Sequence, residues 1–237
     1  MVSAFGQVDE IPFGKLLERV AHRGPDSARV VRTSRSTFGF NRLAIRAVLD
    51  GEQPFVEKKS GSGAVVNGEI YNSDSLRAEL LMDGQSFATQ SDCEVVFRGY
   101  LQWGTRIFPR LRGMFSVVIF DASDQTLILA RDPVGKKPIY WSRDDADEVF
   151  VASEPCALPK HDCLDATAIS HYFSLDGLHH RRSFWENIQQ VQPGEIARIT
   201  ASGESRDFFW SPPPPARSGR KPDAPEQFKE LLHQSVE

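Results

Sequence analysis

The residues of this chain that could do chemistry are concentrated in five short polar sequences. These are Ala-His-Arg-Gly-Pro-Asp at 21–26, Asn-Arg-Leu-Ala-Ile at 41–45, Asn-Gly-Glu-Ile-Tyr-Asn at 67–72, Ser-Asp-Cys-Glu-Val at 91–95 and Arg-Asp-Pro-Val-Gly-Lys-Lys-Pro-Ile-Tyr at 131–140. Their charged and amide groups favour ionic and hydrogen-bonded recognition, since a guanidinium fork suits a carboxylate. The histidines other than His22, including His179 and His180, have no carboxylate or cysteine at metal-ligand spacing, so no metal site is predicted.

Strands and helices must position these sequences. Apolar alternation and turn residues predict strands at 2–8, 37–45, 63–71, 114–120, 126–131, 138–141, 148–152, 194–200 and 205–210. Helical periodicity predicts helices at 13–21, 73–82, 92–103, 165–173 and 226–237, and Ser91 with Glu94 has the spacing of a capping box. Sequential strands with short connections predict an α+β fold with antiparallel sheets, in which the strands of 114–152 form one meander.

Composition excludes several classes of protein. The chain has 237 residues, with 28 Lys+Arg against 32 Asp+Glu and a net charge of −4, and no basic stripe, so no nucleic-acid partner is expected. Its longest apolar run, at 114–120, is far shorter than the ~20 residues of a membrane span, and its N-terminus lacks the pattern of a signal peptide. Three cysteines at irregular spacing favour a reducing compartment, so we predict a cytoplasmic protein without a membrane partner.

The composition changes after Trp210. We predict a domain over 1–210, a Pro-rich linker over 211–225, and over 226–237 the first helix of a second domain that is otherwise absent. The apolar face of this helix carries Phe228, Leu231, Leu232 and Val236. The alternative is a helix that folds back on the first domain.

In their order and spacing, the five sequences resemble the N-terminal glutaminase domain of glutamine-dependent asparagine synthetases, a class II glutamine amidotransferase. The resemblance covers residues 1–210 and continues through Gly113-Met114-Phe115, Ala152-Ser153-Glu154 and Pro193-Gly194. The sequence at 67–72 separates this branch from the phosphoribosyl-pyrophosphate and glucosamine-phosphate amidotransferases. The resemblance implies a four-layer αββα sandwich of two antiparallel sheets, the fold of N-terminal-nucleophile amidotransferases.

The resemblance also implies a role for individual residues in releasing ammonia from glutamine, which is acyl transfer at an amide. The Asn67 side chain and the Gly68 N–H would form the oxyanion hole, and Arg42 would bind the carboxylate of glutamine. Glu69 and Asp92 would hold its ammonium group. The substrate-binding set is completed by Leu43, Ala44, Ile45 and Arg46.

The residues alone leave other interpretations open. Asp92 could only cap the helix that it begins, and Asn67-Gly68 could be a simple turn, since this dipeptide is common in hairpins. Arg42 could be a surface residue of a strand. The sequence at 21–26 is interpreted as a structural turn and ion-pair unit of His22, Arg23 and Asp26.

One position departs from the family. Its nucleophile is an N-terminal cysteine that becomes exposed when the initiator methionine is removed, and the α-amino group of this cysteine serves as base. Here Val2 occupies that place, because Ser3 and Gly6 align with the family's opening. A valine side chain has no lone pair with which to attack a carbonyl. Cys93 is predicted to lie within a helix, so it is not expected to substitute.

The sequence therefore predicts a glutamine-type pocket without its nucleophile, in a domain that supports an ATP-dependent amide-forming ligase. Similar cysteine-less domains occur in β-lactam synthetases and lasso-peptide cyclases. No cofactor is expected in this chain, because ATP and Mg²⁺ would bind only the missing synthetase domain; Ser-Gly-Ser-Gly at 60–63 lacks the Asp-Ser continuation of a pyrophosphate loop.

The expected partners are glutamine or a similar amino acid and a separately encoded synthetase domain, and a homodimer stays open. Two alternatives to this function are kept. One is an active glutaminase that delivers ammonia for asparagine synthesis from glutamine, aspartate and ATP. The other is an amino-acid-sensing module.

Overall fold

The computed structural model describes residues 1–6, 10–45, 47, 49–159, 163–175, 177, 181–214 and 224–236. Its strands are β1 Val2–Phe5, β2 Ser27–Arg32, β3 Ser36–Arg42, β4 Phe55–Val56, β5 Gly63–Ile70, β6 Gly113–Asp121, β7 Thr126–Arg131, β8 Tyr140–Arg143, β9 Val149–Ala152, β10 Ile188–Gln190, β11 Glu195–Thr200 and β12 Gly203–Phe208. Its α-helices are α1 Glu10–Glu18, α2 Ser73–Met82, α3 Asp92–Trp103, α4 Ala166–Leu175 and α5 Ala224–Val236.

The strands form two sheets, each of six antiparallel strands. The first has the order β10-β8-β9-β1-β3-β2 and the second the order β12-β11-β7-β6-β5-β4. Apolar side chains from both sheets, including Phe38, Val65 and Leu129, form one buried cluster between them. Helix α1 packs on the outer face of the first sheet, and α2 and α3 pack on the outer face of the second. The predicted α+β fold, a four-layer αββα sandwich, is confirmed.

Successive side chains of β5 point alternately toward the helices and into the space between the sheets. Val66 packs toward α2 and α3, whereas Val65 belongs to the cluster between the sheets. Successive side chains of a strand point to opposite faces, so Asn67 falls on the same face as Val65. The sandwich thus places a polar amide between two largely apolar layers.

Several elements have the predicted bounds, and others do not. Helices α2 and α3 and strand β7 begin and end where the sequence predicts. The single meander is wrong: β6 and β7 lie in the second sheet and β8 and β9 in the first, because the chain crosses between the sheets at 132–139. The sequence analysis also missed β2, an edge strand with mostly exposed side chains that lacks a clear apolar alternation.

The helix predicted at 226–237 is confirmed as α5, which begins two residues earlier. All its described side chains are exposed, including the predicted apolar face. Among the described helices, none is long and apolar enough to cross a membrane. The division of the chain into a domain, a linker and a further helix stays a prediction.

Candidate functional site

All five polar sequences contribute to one cavity of about 210 Å³. Ligand pockets for larger molecules hold roughly 300–1,000 Å³, so this space suits a ligand of amino-acid size. The lining residues are Arg23, Phe40, Asn41, Arg42, Leu43, Ile45, Gly51, Gln53, Val66, Asn67, Gly68, Glu69, Ser91, Asp92, Cys93 and Lys137.

Asn67 lines this cavity and carries a buried amide donor. Its side-chain Nδ2 is buried and has no hydrogen-bond partner within the part of the chain that the structure describes. A buried amide donor without an acceptor costs free energy, which a ligand oxygen would recover. Asn67 and Gly68 are not a turn: they lie inside β5 and pair in register with Ser116 and Phe115 of β6. The hairpin interpretation is wrong because the strand continues through both residues.

The cavity follows an edge of β5 that β4 leaves uncovered. Strand β4 pairs only with Gly63 and Ala64. Farther along this edge, the Val66 N–H donates to Gln53 Oε1 at 2.7 Å and the Ile70 N–H donates to Asp92 Oδ2 at 2.7 Å. Polar groups of alternate residues face the same edge of an antiparallel strand, so the Gly68 N–H is directed toward this edge as well.

Two contacts support this orientation of Gly68. The N–H and C=O of its register partner Phe115 bond to Asp132, at 3.3 and 2.9 Å, and not to β5. The position also requires glycine, because a Cβ atom there would lie 2.0 Å from the carbonyl oxygen of Met114. The strands therefore approach too closely for any side chain at 68. Asn67 and Gly68 thus both line the cavity on this stretch of β5.

Arg42 ends β3 and is buried at the cavity, with only 7% of its surface exposed. Its Nη2 donates to the carbonyl oxygen of Ala47 at 2.6 Å, and its Nη1 lies 3.8 Å from Glu52 Oε1. These contacts hold the guanidinium in place. The interpretation of Arg42 as a surface strand residue is wrong, because its side chain is buried against the segment at 47–52.

Asp92 begins α3 at the cavity but does not cap this helix. The cap is Ser91, whose Oγ accepts from the Cys93 N–H at 3.2 Å, while the Asp92 carboxylate bonds to β5. The interpretation of Asp92 as a cap alone is therefore wrong. The predicted capping box is only half formed, because the Glu94 carboxylate accepts instead from the N–H groups of Ala88 and Thr89. Glu69, beyond Gly68, adds the second carboxylate of the cavity.

The segment after β3 forms the mouth of the cavity. Leu43 and Ile45 line it and are exposed, whereas Ala44 does not line it and donates its N–H to Asp26 Oδ2 at 2.7 Å. Arg46, the remaining predicted binding residue, lies outside the described residues. The structure thus brings Arg42, Leu43, Ile45, Asn67, Gly68, Glu69 and Asp92 together around one space.

Val2 does not line the cavity. It begins β1, is fully buried and packs with apolar side chains of α1, among them Phe13. The α-amino group of Met1 is buried beside Ser153, whose Oγ lies 3.3 Å away. Burial and, secondarily, the nearby Arg23 guanidinium lower the pKa of this amino group to about 5.

Nine of the lining residues were not predicted as site residues: Arg23, Phe40, Asn41, Gly51, Gln53, Val66, Ser91, Cys93 and Lys137. The Cys93 thiol donates to the Gly68 carbonyl oxygen at 3.5 Å, although the sequence analysis excluded it as a helix residue. Burial, followed by the Asp92 carboxylate, raises the pKa of this thiol well above its usual value, so it is a protonated donor. Five of the nine lie within the polar sequences, which is the signal that could have found them: Arg23, Asn41, Ser91, Cys93 and Lys137. The other four, including Gln53, lie outside these sequences.

The predicted turn at 21–26 is an ion-pair unit with a different partner. His22 Nε2 and Arg23 Nη1 lie 3.0 and 2.8 Å from Glu154 Oε1, whereas Asp26 bonds to the mouth of the cavity. Glu154 belongs to the Ala-Ser-Glu sequence that also contains Ser153. Among the described residues, no group of three His, Cys, Asp or Glu side chains could hold a metal ion.

A family model described as a glutamine amidotransferase domain matches residues 3–210 of this chain. The chain is 35% identical over 190 residues to glutamine-hydrolyzing asparagine synthetase 1 of Bacillus subtilis (strain 168), a match that covers 79% of this chain and 30% of that protein. It is 33% identical over 196 residues to a putative glutamine-hydrolyzing asparagine synthetase of Mycobacterium tuberculosis (strain H37Rv), with 76% and 30% covered. The chain thus spans less than a third of the length of these relatives.

Solved structures share the fold. The glutamine phosphoribosylpyrophosphate amidotransferase of B. subtilis, complexed with ADP and GMP, superposes with a TM-score of 0.62 at 20% identity, over 88% of this chain and 49% of that one. An allosteric regulatory enzyme of purine biosynthesis superposes with a TM-score of 0.63 at the same identity and coverage. At this identity the likeness concerns the architecture of the two sheets.

Proposed function

The chain belongs to the class II glutamine amidotransferase domain family, and from this premise we propose that its cavity binds glutamine or a closely similar amino acid without hydrolysing it. The domain would serve an asparagine synthetase-like, ATP-dependent ligase as a binding and structural part. The buried and unpartnered Nδ2 of Asn67, beside the Gly68 N–H, carries this proposal. The side-chain carbonyl oxygen of the ligand would accept hydrogen bonds from these two donors.

The remaining groups of the cavity match the other end of an amino acid. The Arg42 guanidinium would bind the α-carboxylate, since its contacts to Ala47 and Glu52 already fix its position. The carboxylates of Glu69 and Asp92 would hold the α-ammonium group. Together these groups would complement a zwitterion with a carbonyl in its side chain, and hydrogen bonds already hold Arg42 and Asp92 in place.

The absence of hydrolysis is proposed from the chemistry of two side chains, Val2 and Cys93. Val2, at the place of the family's nucleophile, offers only methyl groups and packs against α1. Cys93 lines the cavity, but its raised pKa keeps the thiol protonated and thus a poor nucleophile. A ligand held by the two donors would therefore keep its amide bond.

We propose that ATP binds a synthetase domain and not the residues of this cavity or of the turn at 60–63. The turn at 60–63 does not suit a phosphate, because its backbone groups already serve the turn itself: the Gly61 N–H donates to the Glu57 carbonyl oxygen at 2.8 Å, and the Ser62 carbonyl accepts from the Glu57 N–H at 2.9 Å. A synthetase domain would supply the site for ATP and Mg²⁺.

We place the contact with that synthetase domain on α5. Its Phe228, Leu231, Leu232 and Val236 side chains are exposed on one face, which is unfavourable in water. Relatives more than three times as long as the matched segment are compatible with such a domain, on the same chain or a separate one. A homodimer through this face is the alternative. Three free cysteines fit a cytoplasmic location.

Binding of L-glutamine to an Arg42→Ala variant tests the proposed ligand. We expect the dissociation constant to rise at least tenfold, about the effect of losing one charge-assisted contact of 1.5–3 kcal/mol. Arg106→Ala is the control, because Arg106 is exposed and bonds only to the Trp103 carbonyl oxygen in the described structure. Equal affinities in both variants would reject Arg42 as the carboxylate ligand.

An assay for ammonia tests the lack of hydrolysis. We expect the chain to release no ammonia from L-glutamine above the buffer rate. Release that Asn67→Ala abolishes would overturn this part of the proposal and favour an active glutaminase.

A further inference from the structure

Gln53 takes the place of a strand residue at the edge of β5. Its side chain is almost completely buried, with 4% exposed. Its Oε1 accepts from the Val66 N–H at 2.7 Å and its Nε2 donates to the Val66 carbonyl oxygen at 2.9 Å. An antiparallel partner would make the same two bonds to Val66. The pairing of β5 with β4 stops at Gly63 and Ala64, and the Gln53 side chain continues it at Val66.

These two bonds hold the backbone from which Asn67 projects. The Val66 carbonyl belongs to the peptide group that includes the Asn67 N–H, so the Nε2 bond fixes the plane of that peptide. On the other side of β5, Ser116 pairs in register with Asn67. The Nδ2 of Asn67 has no partner of its own among the described residues, so the direction of this donor depends on its backbone.

We propose that Gln53 is a positioning residue for Asn67, and that it gives the cavity its preference for ligands with a carbonyl oxygen in the side chain. The inference rests on the proposed function. Without Gln53, the buried N–H and C=O of Val66 lose their partners, and the strand edge is free to shift the amide donor. The charged groups Arg42 and Asp92 keep their own hydrogen bonds, to Ala47 and Ile70, which do not involve Gln53.

The test compares L-glutamine with L-norvaline, which has the same carbon chain without the side-chain oxygen and nitrogen. We expect Gln53→Met to lower the ratio of the two affinities about tenfold, with most of the loss on L-glutamine, since one hydrogen bond of about 1.4 kcal/mol corresponds to that factor. In an Asn67→Ala background, Gln53→Met should lower the ratio little further, because both changes disable the same donor.

Tyr100→Phe is the matched control. It removes a partly buried hydrogen bond of α3, from Tyr100 Oη to Asp121 at 2.7 Å, and Tyr100 does not line the cavity. The control should keep the wild-type ratio. If Gln53→Met does not fold, as judged by near-ultraviolet circular dichroism, Gln53→Glu replaces it; this variant keeps the acceptor for the Val66 N–H and loses the donor to the Val66 carbonyl.

The outcomes separate the two claims. A wild-type chain that binds neither amino acid overturns the proposed function. A wild-type chain that prefers L-glutamine, with folded Gln53 variants that keep this preference or weaken both ligands equally, overturns the inference alone.

Discussion

The cavity combines ionic and neutral groups. Arg42, Glu69 and Asp92 have ionisable side chains, whereas Asn67 and Gly68 carry neutral donors on β5. The proposed ligand, an amino acid with a carbonyl side chain, carries the same two kinds of group. The fit concerns which atoms donate and accept, and so it is tested best by changes of single atoms or side chains.

Gly68→Ala is expected to destabilise the chain and abolish binding. The added Cβ would lie 2.0 Å from the Met114 carbonyl oxygen and 2.7 Å from the Phe115 Cα, both backbone atoms that cannot turn away. We expect the free energy of unfolding to fall by about 3 kcal/mol, as overpacking costs. Urea denaturation measures it.

Gly14→Ala is the matched control for Gly68→Ala. A Cβ at this position of α1 meets no atom within 4 Å. Alanine is favoured over glycine in a helix by about 1 kcal/mol, so this variant should be at least as stable as the wild type. Equal losses in the two variants would contradict the close approach of β5 and β6.

Glu154 is expected to make stability depend on pH in the acid range. Burial by itself raises the pKa of its carboxyl, but hydrogen bonds from Arg23 and His22 outweigh this and hold the pKa below its usual value. A lowered folded pKa stabilises the chain above the unfolded value of about 4.3, and this contribution is lost as the pH falls through the folded pKa. Glu154→Gln should flatten the change in unfolding free energy between pH 6 and 3; an unchanged slope would contradict the ion pair.

The polar sequences could be predicted as a site, but their contacts could not. The five motifs are short and distinctive, and they do meet around one cavity. The sequence could not tell whether Asp92 caps α3 or bonds to β5, because both roles need the same carboxylate at the same position. The sequence could not single out Gln53, because its role depends on where β4 stops pairing with β5, and the neighbouring residues do not show this.

At the scale of elements, the site depends on a short β4 and a loop that crosses between the sheets. Because β4 pairs only with Gly63 and Ala64, the rest of this edge of β5 has no strand partner. The crossing segment after β7 brings Lys137 to the cavity. Asp132 organises this segment, for its buried carboxylate accepts four backbone N–H groups, from Phe115, Val134, Lys136 and Lys137. The loop is therefore a fixed wall of the cavity.

Asp132→Ala is expected to lower the free energy of unfolding by about 3 kcal/mol, because it leaves several N–H groups without their charged acceptor. Binding of L-glutamine should weaken as well, since the wall at Lys137 loses its support. Chemical denaturation and calorimetry measure the two effects. Asp124→Ala, which removes an exposed carboxylate bonded to Thr126, should cost less than about 1 kcal/mol; a similar cost for both would contradict the organising role.

Elements with a strong local pattern were predicted well. Helices α2 and α3 combine an apolar face with glycine near their ends, and both have the predicted bounds. The pairing of β6 to β9 was not predictable from adjacency, because apolar strands joined by short turns can enter one sheet or two. Strand β2 was missed since it gains its structure from pairing with β3 and not from its own side chains.

At the scale of the whole molecule, the predicted domain should be stable without α5. All described side chains of this helix are exposed, so its removal uncovers little apolar surface. Deleting 211–237 should change the thermal midpoint by less than about 2 °C, a shift that corresponds to well under 1 kcal/mol for a chain of this size. Differential scanning calorimetry measures the midpoint, and a fall of 5 °C or more would show that α5 stabilises the domain.

The same face of α5 should be the part of the molecule that recognises a synthetase domain. Its four apolar side chains offer an anchor of the kind that helices bury in a partner's groove. This proposed role uses other residues than the proposed binding of an amino acid, because no described residue of α5 lines the cavity.

Equilibrium dialysis against isotopically labelled L-glutamine tests the central claim most directly, when the retained label is released and identified. The account predicts that the chain retains one label per molecule and that it is recovered as intact glutamine. No retention, or recovery of the label as glutamate, would contradict it.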